Sequence, residues 1–169
     1  MGATILVTAG LTLSTAGAAA AIDPCESAGS GFIIEGTSGD DVLNGSVRDD
    51  VIRGFGGDDV IRGLGGDDVI VGGAGADTLY GDDGCDELHG AKDADTMDGG
   101  ADDDVLFGGE DDDTLYGGSG DDTLHGEGGT DIGHGGTGVN NCNVDLPYVY
   151  THYDIVQYVV WCASHPVLL

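Results

Sequence analysis

The chain has 169 residues, 34 of them glycine, and sets 4 Lys and Arg against 32 Asp and Glu, for a formal charge of −28. That length allows one domain, or one module with short caps. The charge excludes a nucleic-acid binder, which needs a basic footprint, and makes a compact chain repel itself unless cations are bound. Abundant glycine with high charge also suits plain disorder, so only a pattern can establish a fold.

Residues 1–21 hold a short apolar stretch, Ile5 to Leu13, followed by small residues with Ala-x-Ala choices near Ala19 to Ala21. This predicts a secretory signal peptide, although the usual Lys or Arg near the start is absent. A transmembrane anchor is disfavoured, because about 20 strongly apolar residues are needed and this run is diluted by Gly, Ser and Thr. Residues 22–35 are read as an N-terminal cap, with Phe32, Ile33 and Ile34 apolar and β-prone.

From Gly36 to Asn143 a nine-residue unit, Gly-x-x-Gly-x-Asp-x-aliphatic-x, repeats twelve times without insertion or deletion. The first position is Gly in every unit, from Gly36 to Gly135. Only glycine takes positive φ without steric cost, so the invariant Gly is read as fixing a turn. The fourth position is Gly except at Arg48, Asp93, Asp102 and Asp111, which are expected to mark looser turns. The sixth position is Asp41, Asp50, Asp59, Asp68, Asp77, Asp86, Asp95, Asp104, Asp113, Asp122 and Asp131, then Asn140. Carboxylates closing a Gly-rich turn suit a hard cation with oxygen ligands, and these eleven Asp are the candidate metal residues.

The eighth position is Leu43, Ile52, Ile61, Ile70, Leu79, Leu88, Met97, Leu106, Leu115 and Leu124, then Gly133 and Cys142. An acidic linker has no reason to keep an aliphatic residue in phase with Asp, so the disorder reading fails. Six residues are expected to turn and three to run as strand, the middle side chain inward. Two units close one coil, and twelve units make six coils, with two parallel sheets around an aliphatic ladder. At about 4.8 Å per strand the roll is roughly 29 Å long. Stepped backwards, the register puts Ile34 on the aliphatic position and Phe32 where Asp belongs. The cap is thus a half-unit with its strand kept and its metal turn dropped, as terminal repeats often are.

The units Gly72 to Tyr80 and Gly117 to His125 resemble the Gly-Gly-x-Gly-x-Asp-x-aliphatic-x nonapeptide of RTX (haemolysin-type) calcium-binding proteins. The resemblance covers about two thirds of the chain. It implies an all-β, right-handed parallel β-roll (an RTX solenoid) with short N-terminal and strand-rich C-terminal caps. It further implies Ca²⁺ between unit n and unit n+2, held by the sixth-position Asp and turn carbonyls. Twelve units offer ten such slots, and ten divalent ions would bring −28 to about −8. Units two (Arg48), seven (Lys92, Asp93) and twelve (Asn140) are degenerate, which leaves the slot between units ten and twelve the weakest. Without calcium the carboxylates repel, so binding and folding are expected to be one event. Weak sites fill outside the cell, and the chain is expected to be extracellular.

After Asn143 the repeat ends, and residues 144–169 are apolar and aromatic. They are read as a C-terminal cap over the open edge of the last coil, with an aromatic partner-binding surface or an uncleaved export signal as the other readings. Of the four cysteines, Cys142 and Cys162 bracket this cap and are candidates to pair. Cys85 sits in a turn and is read as the unpaired one, with Cys25 elsewhere in the N-terminal cap. The histidines show no metal spacing, and no GxSxG, HExxH, P-loop or EF-hand pattern occurs, so no enzyme is expected. One alternative is an ice-binding face, from Thr78, Thr96 and Thr114 at 18-residue spacing. Another is calcium-dependent adhesion to a cell-surface or extracellular partner.

Overall fold

A computed structural model describes Cys25 and residues 29–143. The expected signal peptide at 1–21 and the C-terminal cap at 144–169 lie outside the described residues.

The described chain is all strand. In order these are β1 (Ser30–Glu35), β2 (Val42–Asn44), β3 (Asp49–Gly56), β4 (Val60–Gly65), β5 (Val69–Ala74), β6 (Thr78–Asp83) and β7 (Glu87–Lys92). Then come β8 (Thr96–Ala101), β9 (Val105–Glu110), β10 (Thr114–Ser119), β11 (Thr123–Gly128), β12 (Ile132–His134) and β13 (Asn141–Asn143). Odd strands form a seven-stranded sheet in the order β1-β3-β5-β7-β9-β11-β13, and even strands a six-stranded sheet from β2 to β12. Every pairing is parallel, and between units it joins residues 18 apart, as in Leu79 with Met97 and Met97 with Leu115. The fold is therefore the expected parallel β-solenoid of two-unit coils.

The eighth-position ladder is the core. From Ile52 through Leu124 its side chains are 0% exposed, and Ile34 and Leu43 close the N-terminal end. Positions seven and nine flank it and face outward, because neighbouring strand residues point to opposite faces. In β1, Ile34 pairs with Ile52, which extends the aliphatic ladder by one residue ahead of the first unit. Thr78, Thr96 and Thr114 do align on the even sheet. The ninth-position column beside them carries Arg62, Tyr80, Asp98 and Tyr116, so that face is not a flat threonine array.

The structure corrects the expected division of the unit. Between β4 and β11 each strand is six residues long and runs through positions seven, eight, nine, one, two and three. Only positions four to six are left for the turn. The extra ladder bonds come from backbone at positions one to three, which side-chain pattern does not reveal.

The glycines are also used differently from the expectation. No first-position glycine has positive φ; the left-handed residues lie at positions two and four, in every unit from the third onward. Several are not glycine, including Phe55 (φ 76°), Leu64 (φ 82°) and Asp82 (φ 75°). Asp93, Asp102 and Asp111 keep the left-handed turn at position four with φ of 67°, 76° and 73°. They are not looser turns, because Asp tolerates this region better than most residues. Arg48 does depart from it, and units one and two as a whole lack the left-handed pair.

Cys85 is not unpaired. It forms a disulfide with Cys25 across a sequence separation of 60. Cys142 is also disulfide-bonded, and the expected pairing with Cys162 falls outside the described residues.

Candidate metal-binding edges

The turns stack into two acidic edges. Odd units place Asp41, Asp59, Asp77, Asp95, Asp113 and Asp131 in one column, and even units place Asp50, Asp68, Asp86, Asp104 and Asp122 in the other, ending at Asn140. All the candidate residues read from the sequence are thus brought together, each 18 residues from the next. One side-chain oxygen of each has a defined task. The Oδ1 of Asp59 accepts the backbone N–H of Asp41, and this link repeats along both edges to Asp131 with distances from 2.6 to 3.0 Å. Asp50 Oδ1 accepts from Phe32 N–H, so the cap joins the even column through its backbone.

The second oxygen is left over. The Oδ2 atoms of Asp59, Asp68, Asp77, Asp86, Asp95, Asp104, Asp113, Asp122 and Asp131 are buried and accept no hydrogen bond. A buried carboxylate oxygen without a donor is costly. Nine such oxygens recur in phase, and this donor set suits a hard divalent cation. Asp41 and Asp50 differ, because their Oδ2 atoms accept the N–H of Thr37 and Ser46 at 2.6 Å each. At Asn140 the Oδ1 keeps the backbone link, accepting from Asp122 N–H at 2.8 Å, but the unpartnered atom is an amide nitrogen. That atom is a hydrogen-bond donor and cannot ligate a cation.

The first-position glycines explain themselves here. A Cβ on Gly63 would overlap Asp68 Oδ2 and lie 2.7 Å from Gly81 O. The glycine is invariant because the carboxylate needs that space, not because the backbone needs positive φ. Gly63→Ala should therefore destabilise the roll by about 1–3 kcal/mol and raise the calcium needed for folding. Gly56→Ala is the control: its Cβ would meet nothing nearer than 3.5 Å. Parallel calcium titrations followed by circular dichroism compare the two.

Burial also raises the pKa values of these carboxyls. Desolvation pushes the carboxyls of Asp77 and Asp113 up to about 6, those of Asp68, Asp86 and Asp95 to about 7, and that of Asp104 to about 8. The backbone hydrogen bond to each works in the opposite direction, and neighbouring aspartates add to the rise. Asp59 and Asp122 are raised by the same burial.

The structure also shows residues that the nine-residue pattern left blank. Wherever position five is Asp, its Oδ1 accepts the N–H of the fifth residue one coil later, as in Asp40 to Asp58 and Asp103 to Asp121. Position six clips each turn to the coil before, and position five to the coil after. The Asp-Asp dipeptide in Asp58-Asp59 and Asp121-Asp122 was the available signal. Unit seven, expected to be degenerate, is regular: Asp95 makes both sixth-position links, and Asp93 Oδ2 accepts Gly75 N–H at 3.1 Å.

No group of three His, Cys, Asp or Glu side chains able to hold a metal occurs among the described residues. Any ion on these edges must therefore draw on backbone oxygens as well. Gly57 O, Gly66 O and Asp102 O point into the space that a Cβ on Gly75, Gly84 and Gly120 would fill.

A parallel β-solenoid whose turns stack into columns of buried carboxylates, each with one oxygen that accepts no hydrogen bond, is a cation-binding class of fold. The model of the RTX calcium-binding nonapeptide repeat matches residues 35–70, 54–84, 62–97, 80–115 and 107–141. The chain belongs to this family, whose repeat binds calcium in a β-roll. No curated protein and no solved structure matches the chain.

Proposed function

We propose that the protein is a secreted calcium-binding roll, in which Ca²⁺ seats between turns two units apart and the ions supply the charge that lets the chain fold. The observation that carries this reading is the run of nine buried Oδ2 atoms with no hydrogen-bond donor. Asp59, Asp68, Asp77, Asp86, Asp95, Asp104, Asp113, Asp122 and Asp131 are the ligands it supports best. Asp41 and Asp50 act at the N-terminal margin, where their Oδ2 atoms must give up a backbone donor first. Turn carbonyls complete each shell. The binding unit spans residues 36–143, capped by 22–35 and 144–169. The role is binding rather than catalysis, and the place of action is extracellular, where calcium reaches the about 10⁻⁴ to 10⁻³ M range of such modules.

Calorimetry of the full chain titrated with calcium tests this directly. Several ions, up to the ten slots between units, should bind in one cooperative step carrying the heat of folding. Magnesium, which demands tighter octahedral geometry, should not replace it. One or two independent ions with no folding heat would contradict the reading.

A further inference from the structure

The outward ninth-position column of the even sheet runs Arg62, Tyr80, Asp98, Tyr116, His134, each paired in register with the next. Its rings stand across the roll axis. The Arg62 guanidinium lies 4.1 Å from the Tyr80 ring centroid, on the face toward the N-terminal coils. His134 stacks on Tyr116 at 4.9 Å and 11°, on the face toward the C-terminal coils. The remaining face of each tyrosine is therefore turned toward the other, across Asp98.

Two strand steps separate these rings, about 9.6 Å. Asp98 is shorter than its neighbours and leaves a notch with a carboxylate at its base. No hydrogen bond or ion pair holds that carboxylate among the described residues, and burial together with nearby Asp82 raises its pKa. The ninth-position column of the odd sheet has no such gap, because Phe107 is sandwiched between His89 at 4.8 Å and His125 at 5.1 Å.

The geometry points to this notch as a binding site for a guanidinium group, the side chain of an arginine offered by a peptide or protein partner. The chain supplies its own precedent one step away: Arg62 stacks on Tyr80 while its guanidinium donates to both carboxylate oxygens of Asp82 at 3.3 and 3.4 Å. A second guanidinium placed midway between Tyr80 and Tyr116 would lie about 4.8 Å from each ring, inside the range of cation–π attraction. Its in-plane N–H groups would meet Asp98 as a fork, which an ammonium cannot reproduce. The excess of acid over base on the chain adds a field that draws cations to this face.

The test uses the calcium-loaded full chain and ¹H–¹⁵N spectra, with N-acetyl-arginine amide as the probe. Saturable shifts centred on Tyr80, Asp98 and Tyr116 are expected. Asp98→Asn should weaken binding about five- to tenfold, and Tyr116→Leu should weaken it by a comparable factor. Both positions face outward, so the circular dichroism of either variant should match the parent. N-acetyl-lysine amide and tetramethylammonium should bind several-fold less well. Equal affinity for these probes, shifts spread evenly over the acidic surface, or unchanged binding in both variants would overturn the inference.

Discussion

In chelator at pH 7.5 the chain should lose its β-sheet spectrum, and acidification toward pH 4 should restore much of it without metal. The first half follows from the edges. Nine buried Oδ2 atoms have no donor, and the chain carries −28 with nothing to offset it once calcium is gone. One aliphatic side chain per nine residues gives too little burial to hold such a coil alone. The second half follows from the raised pKa values. Asp68, Asp77, Asp86, Asp95, Asp104 and Asp113 titrate at about 6 to 8 in the roll, against about 3.9 in an unfolded chain. Between those values the folded state binds more protons than the unfolded one. Its proton-linked stability is therefore complete below about pH 4 and is lost as pH rises through the folded values. Protons and calcium thus compete for the same oxygens: as pH falls toward 4, the folded roll should bind calcium more weakly while less calcium is needed to fold it. Circular dichroism and sedimentation from pH 3 to 8, with chelator and with calcium, check both signs. A complete β spectrum in chelator at pH 7.5 would refute the coupling.

Removing the Cys25–Cys85 disulfide should raise the calcium midpoint of folding by roughly two- to sixfold. The bridge closes a loop across a sequence separation of 60, with its Cα atoms 5.3 Å apart. In the chain-entropy account such a loop destabilises the unfolded state by about 4 kcal/mol. Where folding and binding are one step, that energy is shared among the ions taken up: ten ions give a shift of about twofold, and four give about sixfold. The position of the bridge makes the effect local to the metal edge. Cys85 occupies position five of unit six, and its N–H donates to Asp67 Oδ1 at 3.1 Å. It therefore stands in the column of even turns that also holds Asp68, Asp86 and Asp104. The double variant Cys25→Ser with Cys85→Ser is the clean comparison, because a reductant would also open the disulfide of Cys142. Calcium titrations of parent and variant supply the ratio, and equal midpoints would show that the bridge does not act through the unfolded chain.

A nine-residue period was enough to reach the coil, the pairing of unit n with unit n+2, the eighth-position ladder and the sixth-position columns. Each is a statement about phase, and a repeat without insertion carries its phase from Gly36 to Asn143. Gly63 shows where phase stops helping. Its invariance was legible, but its reason was not, since a glycine required by φ and one required by a neighbour's oxygen look alike in sequence. The same holds for Asp59 and Asp58. Which oxygen bonds which coil, and which is left without a donor, depends on backbone direction at the turn. The Cys25–Cys85 bridge joins a residue outside the repeat to one inside it, so no period announces it. The free faces of Tyr80 and Tyr116 arise from how outward side chains settle against Arg62 and His134. A repeat roll of the calcium-binding type is written in the order of residues alone, because register along a solenoid is one-dimensional. The directions of its oxygens, sulfurs and ring faces are set by contacts between coils, and so they emerge only once the coils are stacked.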